Sequence, residues 1–326
     1  MSDKVAKAHP FLMHYTTSEG LKGIVESGSL WASNAKFLND SEETVHYLNT
    51  RLPEFVREVA EDFIKDCKID RTKSAAINKL GGSEALVARA TSLLVDHLKA
   101  RTLQYIDPYI LSLSSPASEL ISRNGLLSQW RAYGSDGGYA IKINTEKFWS
   151  LLREEEKKFH YQHLEWGDVF YYGASHPQAA SDDARKAEAV LREEVYRMIE
   201  TGTPRNHMNI YFSLTTLSCL SKHWGFFEEQ EVRVVAIPQR DASDIINTDS
   251  NGKTQKLIHH RTKGGTVIPY IAITGDRGER GRLPIESVIV GPHKDKDMRK
   301  LSAETLLREN GYDVPVIVSA IPYLGS

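Results

Sequence analysis

Residues 11–33 read FLMHYTTSEGLKGIVESGSLWAS and predict a strand, a short helix and a second strand in immediate succession. Thr16 and Glu19 have the spacing of a capping box, apolar residues follow at helical intervals, and Gly28 suits the position just past a helix end. We therefore predict a helix over about residues 17–27. The segments FLMHYT before it and LWAS after it are apolar and aromatic enough for strands.

The rest of the chain alternates between helical and extended patterns. Residues about 50–105 and 175–222 are charged and amphipathic, and they predict helical insertions. Strands drawn from both ends around this helical middle predict one α+β domain over residues 1–326. We read the following segments as further strands: YILSLS (109–114), GGYAIKIN (137–144), DVFYYG (168–173), EVRVVAIP (231–238), KLIHHRT (256–262), TVIPYIAIT (266–274), ESVIVG (286–291) and VPVIVSAIPY (314–323).

The composition is that of an ordinary globular protein. The chain has 326 residues, 40% of them hydrophobic, and its 41 Lys+Arg and 43 Asp+Glu residues give a net charge of −2. Such a balance predicts no bulk attraction to nucleic acid or to an anionic membrane. Only two cysteines, Cys67 and Cys219, occur, and no apolar run has the length of a membrane helix. We expect a cytoplasmic protein without a membrane anchor.

The segment FFEEQEVRVVAIP contains the clearest candidate for chemistry. In an extended chain, Glu229, Glu231 and Arg233 would lie on one face, with successive side chains about 6.6 Å apart. Two interpretations are open. The three residues could be a solvated strand face with a surface ion pair worth about 0–1 kcal/mol. Alternatively, crowding of the two carboxylates beside an arginine could give them different protonation roles in a site.

Four short motifs contain further candidate site residues, and each has a structural alternative. A His-Tyr pair at a strand end commonly consists of a satisfied polar group and a packed ring. Two serines on one strand face suit an edge strand, aromatic residues three apart on a helix usually pack into the core, and an Asn-Asp pair can cap the helix that follows. The candidates are His14 with Tyr15, Ser112 with Ser114, Trp130 with Tyr133, and Asn39 with Asp40.

No metal site or hydrolase motif is predicted. The histidines of HYQH at residues 160–163 and the pair His259-His260 have no cysteine or carboxylate at a recognisable ligand spacing, so we read them as surface residues. The sequence has no G-x-S-x-G or H-E-x-x-H motif, which gives a serine hydrolase or a zinc protease no support.

In combination, these motifs resemble a large bacterial family known only as a domain of unknown function. The residues that carry this resemblance are HYTT, FLNDSEE, SLS, QWRAYGSDGGYAIKIN, KHWGFFEEQEVRVV, VIPYI, VIVGP and SAIPY, which together span most of the chain. Their order is also similar to that of the ADP-ribosyltransferase superfamily, in which a His or Arg ends the first strand, a hydroxyl or aromatic motif lies on a middle strand, and an E-x-E motif follows late. This resemblance implies a split β-sheet core with helical insertions.

The superfamily resemblance also implies residue roles and NAD as the substrate. Glu231 would supply the negative charge that stabilises a ribosyl cation, and Glu229 would handle the acceptor. His14 would hydrogen-bond the ribose or the nicotinamide amide, and the middle motif would be either the two serines or the aromatic pair. The residues implied to bind NAD are His14, Tyr15, Thr16, Asn39, Asp40, Ser112, Ser114, Trp130, Tyr133 and Arg233.

The function implied is that of an NAD-dependent ADP-ribosyltransferase, a toxin-like or phage-defence effector that modifies a protein or nucleic-acid acceptor. Water as the acceptor would make the same site an NAD glycohydrolase. Such an effector would have an antitoxin or another defence-system component as its partner. The alternative, from another class, is a non-catalytic module that binds a nucleotide or a protein in the same cleft.

Overall fold

A computed structural model describes residues 3–38, 41–69, 77–78, 81–105, 107–133, 138–173, 182–239, 252–275 and 281–322 of the chain. The side chains of residues 41–44, 69, 105 and 133 are outside this description. The proposed site residues Asn39 and Asp40, and the side chain of Tyr133, therefore lie outside the described residues.

The described residues form a mixed α+β structure with a large mixed sheet. The strands are β1 (Phe11–Thr16), β2 (Leu30–Asn34), β3 (Tyr109–Ser114), β4 (Tyr139–Asn144), β5 (Phe159–Asp168), β6 (Phe170–Tyr172), β7 (Ser221–His223), β8 (Glu231–Pro238), β9 (Thr254–Gln255), β10 (His259–Lys263), β11 (Thr266–Ile273), β12 (Ile285–Val290) and β13 (Val316–Val318). The α-helices are α1 (Lys4–Ala8), α2 (Ser18–Ser27), α3 (Ser41–Ile69), α4 (Gly82–Tyr105), α5 (Glu119–Asn124), α6 (Leu127–Tyr133), α7 (Thr145–Lys158), α8 (Asp182–Thr201), α9 (His207–Cys219) and α10 (Lys296–Glu309).

The chain divides into two compact units. The first consists of Met1–Phe37, Tyr109–Val169 and Gly225–Ser326, and the second of Leu38–Pro108 and Phe170–Trp224. The expected helical insertions fall within the two segments of the second unit, whose apolar core is formed by α3, α4, α8 and α9. That the chain is a single domain stays a prediction. In the part of the chain that the structure describes, no helix combines the length and the apolar character that crossing a membrane requires.

The sheet of the first unit divides at β3. Its main strand order is β10-β11-β2-β3-β1-β4-β12-β13, and β8 pairs with β3 along residues 109–114. On the other edge of β3, β2 pairs with residues 109 and 110, whereas β1 pairs with residue 114. Because β1 and β2 use opposite ends of the same edge, the sheet opens between them beside the middle of β3.

The main apolar core packs on one face of this sheet, and a smaller apolar cluster packs on the other. Leu111 and Leu113 of β3 join Val232 and Val234 of β8 in the main core, to which α2 and α7 also contribute. All of β8 is buried, and β3 and β5 pair with its two edges. The sequence analysis did not predict the long strand β5. Only its last residue belongs to a segment that was predicted to be extended.

The first helix has nearly the expected bounds but a different cap. Helix α2 begins at Ser18, and the Thr17 side chain accepts a hydrogen bond from the Gly20 backbone N–H at 3.2 Å, so Thr17 is the N-cap. The prediction of a capping box that starts at Thr16 was wrong, because Thr16 is the last residue of β1. The expected helix end at Gly28 is confirmed, with φ of 64°.

Replacing Gly28 with Ala is expected to lower the free energy of unfolding by about 2 kcal/mol or more. A left-handed residue other than glycine is strained, and a Cβ here would lie 1.7 Å from the Gly281 carbonyl oxygen. Gly311 is the matched control, since it has φ of 77° but no atom within 4 Å of the added Cβ. Urea denaturation of both variants measures the difference, and equal losses of stability would contradict the predicted clash.

Candidate functional site

Glu231 and Arg233 form a buried ion pair on one face of β8. The Arg233 Nε donates to Glu231 Oε1 at 2.8 Å, and its Nη2 donates to Oε2 at 2.9 Å. The side chains are only 6% and 3% exposed, which excludes the solvated strand face that the alternation allowed. Glu231 pairs across the sheet with Ser114, and Arg233 pairs with Ser112. The carboxylate and both serines of the middle motif therefore share one face of the sheet.

Glu229 lies outside the strand, so the prediction of an extended chain from Glu229 to Arg233 was wrong. Strand β8 begins at Glu231, whereas Glu229 is the last residue of a 3-10 helix, Trp224–Glu229. Gln230 between them has φ of 43°, a left-handed conformation that breaks the alternation. The Ser114 hydroxyl donates to the Glu229 carbonyl oxygen at 2.6 Å, so the backbone of the turn is held beside β3. The Glu229 side chain is half-buried.

His14 lies at the opening between β1 and β2. Its Nδ1 is 3.1 Å from the Ser112 carbonyl oxygen. A carbonyl oxygen only accepts, so Nδ1 carries the proton and the neutral ring keeps an acceptor lone pair on Nε2. Burial lowers the pKa of His14 to about 4; the hydrogen bond to Ser112 opposes this effect, and the positive charge of Arg261 adds to it. At neutral pH, His14 is therefore an uncharged hydrogen-bond acceptor.

The low pKa of His14 predicts a pH dependence of stability. Between pH 6.5 and about 4, the unfolded chain binds a proton at this ring that the folded protein does not bind. Stability should therefore fall by about 3 kcal/mol as pH decreases through this window, with no further contribution from His14 below it. Urea denaturation of the wild type and of His14→Gln isolates the effect from the carboxylates, because only the wild type carries the imidazole. If the free energy of unfolding of the two proteins changes with pH in the same way, the low pKa assigned to His14 is wrong.

Tyr15, Thr16 and Trp130 are buried rather than open to a ligand. The rings of Tyr15 and Trp130 meet edge to face at 5.0 Å, and their side chains are only 5% and 1% exposed. The Tyr15 hydroxyl oxygen accepts from the Leu126 N–H, and the Trp130 indole N–H donates to the Asn124 carbonyl. Burial raises the pKa of Tyr15 to about 12. These contacts favour a packing role for Tyr15 and Trp130, which hold the end of β1 behind His14.

A further set of side chains, missed in the sequence, lies on β2, β10 and β11. We call Trp31, His259, Arg261 and Tyr270 the aromatic cluster. The Arg261 Nη2 donates to Ser33 Oγ at 2.8 Å, and its guanidinium carbon is 5.6 Å from the centre of the Trp31 ring. The rings of Trp31 and Tyr270 are 4.9 Å apart, and those of His259 and Tyr270 are 5.4 Å apart. The sequence indicated only that KLIHHRT, LWAS and TVIPYIAIT are strands.

A hydroxyl, an imidazole and a carboxylate are linked at the ends of β3 and β5. Ser115 Oγ is 2.8 Å from His9 Nδ1, and His9 Nε2 is 2.6 Å from Asp168 Oδ1. The Ser115 N–H is already donated to the Gln230 carbonyl, and Pro116 has no N–H. The N–H of the serine and the N–H of the residue that follows it, which help to form the oxyanion holes of known serine hydrolases, are therefore not available, which favours a structural tie over acyl transfer. Among the described residues, no three His, Cys, Asp or Glu side chains gather as metal ligands.

Comparison with known proteins identifies a family for part of the chain. Residues 129–234 match the family described as a protein of unknown function, DUF2971. This match covers less than half of the chain and contains Trp130, Glu229, Glu231 and Arg233, but not His14. No curated protein and no solved structure matches the chain. The matched family has no assigned function.

Proposed function

We propose that this protein is an NAD-dependent ADP-ribosyltransferase built on a split β-sheet. The observation that carries the proposal is that His14 and Glu231, far apart in sequence, both lie beside the last three residues of β3, which His14 approaches from the face of its partner Ile141 and Glu231 from the opposite face. The His14 ring bonds the Ser112 carbonyl, and Glu231 pairs directly with Ser114. The opening between β1 and β2 at this point is the feature that the superfamily resemblance implies for a dinucleotide cleft.

The residues at this opening suit cleavage of the nicotinamide–ribose bond. As nicotinamide leaves, positive charge develops on the ribose, and a fixed carboxylate stabilises it. Glu231 would supply that charge, and the two hydrogen bonds from Arg233 hold both of its oxygens in place. A carboxylate that is oriented before the reaction needs little rearrangement when the charge develops.

His14 would position the substrate. A neutral imidazole with its lone pair on Nε2 can accept a hydrogen bond from a ribose hydroxyl or from the nicotinamide amide N–H. An imidazolium ion would instead repel the positively charged nicotinamide ring, so the lowered pKa of His14 suits this role. Ser112 and Ser114 would maintain the local geometry of the site. Glu229 would orient the incoming nucleophile of a protein or nucleic-acid acceptor.

Mass spectrometry of NAD incubated with the protein, alone and with cell lysate, tests this proposal. We expect free nicotinamide in both samples and ADP-ribose attached to an acceptor in the lysate. Release of nicotinamide without an attached product would identify water as the acceptor. If folded protein leaves NAD intact under both conditions, the enzymatic proposal fails. Slower growth of host cells that express the protein would support the toxin-like or defence role and an antitoxin-like partner.

A second candidate is a non-catalytic module that binds a nucleotide or a protein at the same opening. The observation in its favour is that both Glu231 oxygens are engaged by Arg233 and that the carboxylate is only 6% exposed. A charge compensated in this way is also typical of a structural ion pair. Calorimetric heat of binding to NAD, together with chromatography that recovers the NAD unchanged, would favour this candidate over the enzyme.

A further inference from the structure

We infer that the aromatic cluster is the adenylate end of the substrate site, where Arg261 binds the pyrophosphate and the rings of Trp31 and Tyr270 contact the adenine. This inference rests on the proposed function, since it assigns the other half of the same substrate. The ligand class is a nucleoside diphosphate such as the ADP portion of ADP-ribose.

The register of the sheet places the cluster on the same face as Glu231. Ser33 of β2 pairs with Tyr270 on one side and with Ile110 of β3 on the other. Ile110 shares its face of β3 with Ser114, two pleats further on, and Ser114 pairs with Glu231. Since directly paired residues share a face, the cluster and Glu231 lie on the same face of the sheet.

Arg261 is held in an orientation suited to an anion. Its Nη2 donates to the Ser33 hydroxyl at 2.8 Å, and the guanidinium lies over the Trp31 ring. These two contacts fix the plane of a group that recognises phosphate oxygens through parallel N–H donors. An arginine fixed in this way loses less conformational freedom on binding than a mobile surface lysine.

The electrostatic environment of Arg261 also favours an anion. Burial and the Arg261 charge both lower the pKa of Lys263, and Arg261 contributes to the low pKa of His14. Arg261 is thus within electrostatic range of a second cation and of the ring assigned to the ribose or nicotinamide. A bound pyrophosphate would relieve the repulsion between the cations.

The rings supply a surface for a base. Trp31 and Tyr270 are half-buried, with their planes inclined by 35°, and His259 continues the series at 31° to Tyr270. Rings of this kind contact the π-face of a base through dispersion, and arginine adds a cation–π contribution. A site of this composition prefers a nucleotide to a simple phosphate ion.

Calorimetry with ADP-ribose, AMP and inorganic pyrophosphate tests the inference without requiring turnover. Arg261→Gln should weaken ADP-ribose binding by roughly tenfold or more, and Trp31→Leu should weaken ADP-ribose and AMP but not pyrophosphate. Arg282→Gln is the matched control, because Arg282 also stacks on an aromatic ring, Tyr312, but lies outside the cluster. Circular dichroism of each variant confirms that it is folded, and Arg261→Lys should restore part of the affinity if charge is what the site needs.

The outcomes separate this inference from the proposed function. If ADP-ribose binds with an affinity that depends on Arg261 while NAD stays intact, the assignment of the aromatic cluster is supported and the transferase proposal is refuted. If nicotinamide is released but folded Arg261→Gln and Trp31→Leu bind ADP-ribose as the wild type does, the cluster assignment is overturned. Failure of the wild type to bind ADP-ribose at millimolar concentration overturns it as well.

Discussion

Replacing Glu231 with Gln is expected to reduce the rate of nicotinamide release from NAD by about two orders of magnitude, mainly through kcat. A neutral amide cannot stabilise the positive charge that develops on the ribose, although it can still accept one hydrogen bond from Arg233. KM should change little, because the ribose carries no such charge before the bond breaks. Steady-state kinetics with chromatographic detection of nicotinamide measures both constants.

Loss of the fold must be separated from loss of chemistry in this experiment. Glu231→Gln leaves the buried Arg233 guanidinium uncompensated, which typically costs about 3–5 kcal/mol of stability. The double variant Glu231→Gln/Arg233→Gln removes both charges and allows the two amides to bond each other, so it should fold and still be inactive. Glu228→Gln is the control, since Glu228 is an exposed carboxylate of the preceding turn. A folded double variant with wild-type release of nicotinamide would end the transferase proposal.

The two carboxylates of the E-x-E motif show where sequence reasoning on the site succeeds and where it fails. Strand alternation correctly placed Glu231 and Arg233 on one face, because both belong to β8. It failed for Glu229, since Gln230 adopts a left-handed conformation that glycine would have signalled and glutamine does not. Burial of the pair was also beyond the sequence, because it depends on how residues distant in sequence pack around β8.

The same distinction holds for the fold. Helix α2 and its flanking strands were predictable because caps, periodicity and a terminal glycine all lie within the segment itself. Strand β5 was missed because the sequence of Phe159–Asp168 is polar, with two histidines and two acidic residues. It is a strand because its backbone pairs with β8, a partner some 70 residues later whose position no local pattern reveals.

Arg261 was missed for a related reason. In sequence, HHRTK looks like a polar edge strand, and the tryptophan and tyrosine of the aromatic cluster belong to other strands. Only the pairing of β2 with β11, and of β11 with β10, brings Trp31, Tyr270 and Arg261 together. Residues whose role depends on register between distant strands are therefore the least accessible to sequence reasoning.

A second buried ion pair, between Glu155 and Lys256, should make the stability of the first unit sensitive to the loss of either partner. The Lys256 Nζ lies 2.7 Å from Glu155 Oε1, and the side chains of Lys256 and Glu155 are 0% and 3% exposed. The Tyr161 hydroxyl donates to the same carboxylate, as does the Thr274 N–H, so its oxygens are well satisfied. Lys256 also donates to the Gly275 carbonyl oxygen. This network ties helix α7 to β5 and to the ends of β9 and β11.

Lys256→Met is expected to lower the free energy of unfolding by about 3–5 kcal/mol, because the Glu155 carboxylate would stay buried without its cation. Glu155→Gln should lower the free energy of unfolding by a similar amount, because the Lys256 ammonium group would then stay buried without its carboxylate. The double variant should lose much less than the sum of the two, since no buried charge is left and methionine fills the space of the lysine stem. Hydrogen exchange of peptides from β5 and β11, read beside urea denaturation, reports the change within this unit. Additive losses in the double variant would show that the two residues stabilise the protein independently and would refute the charge-compensation argument.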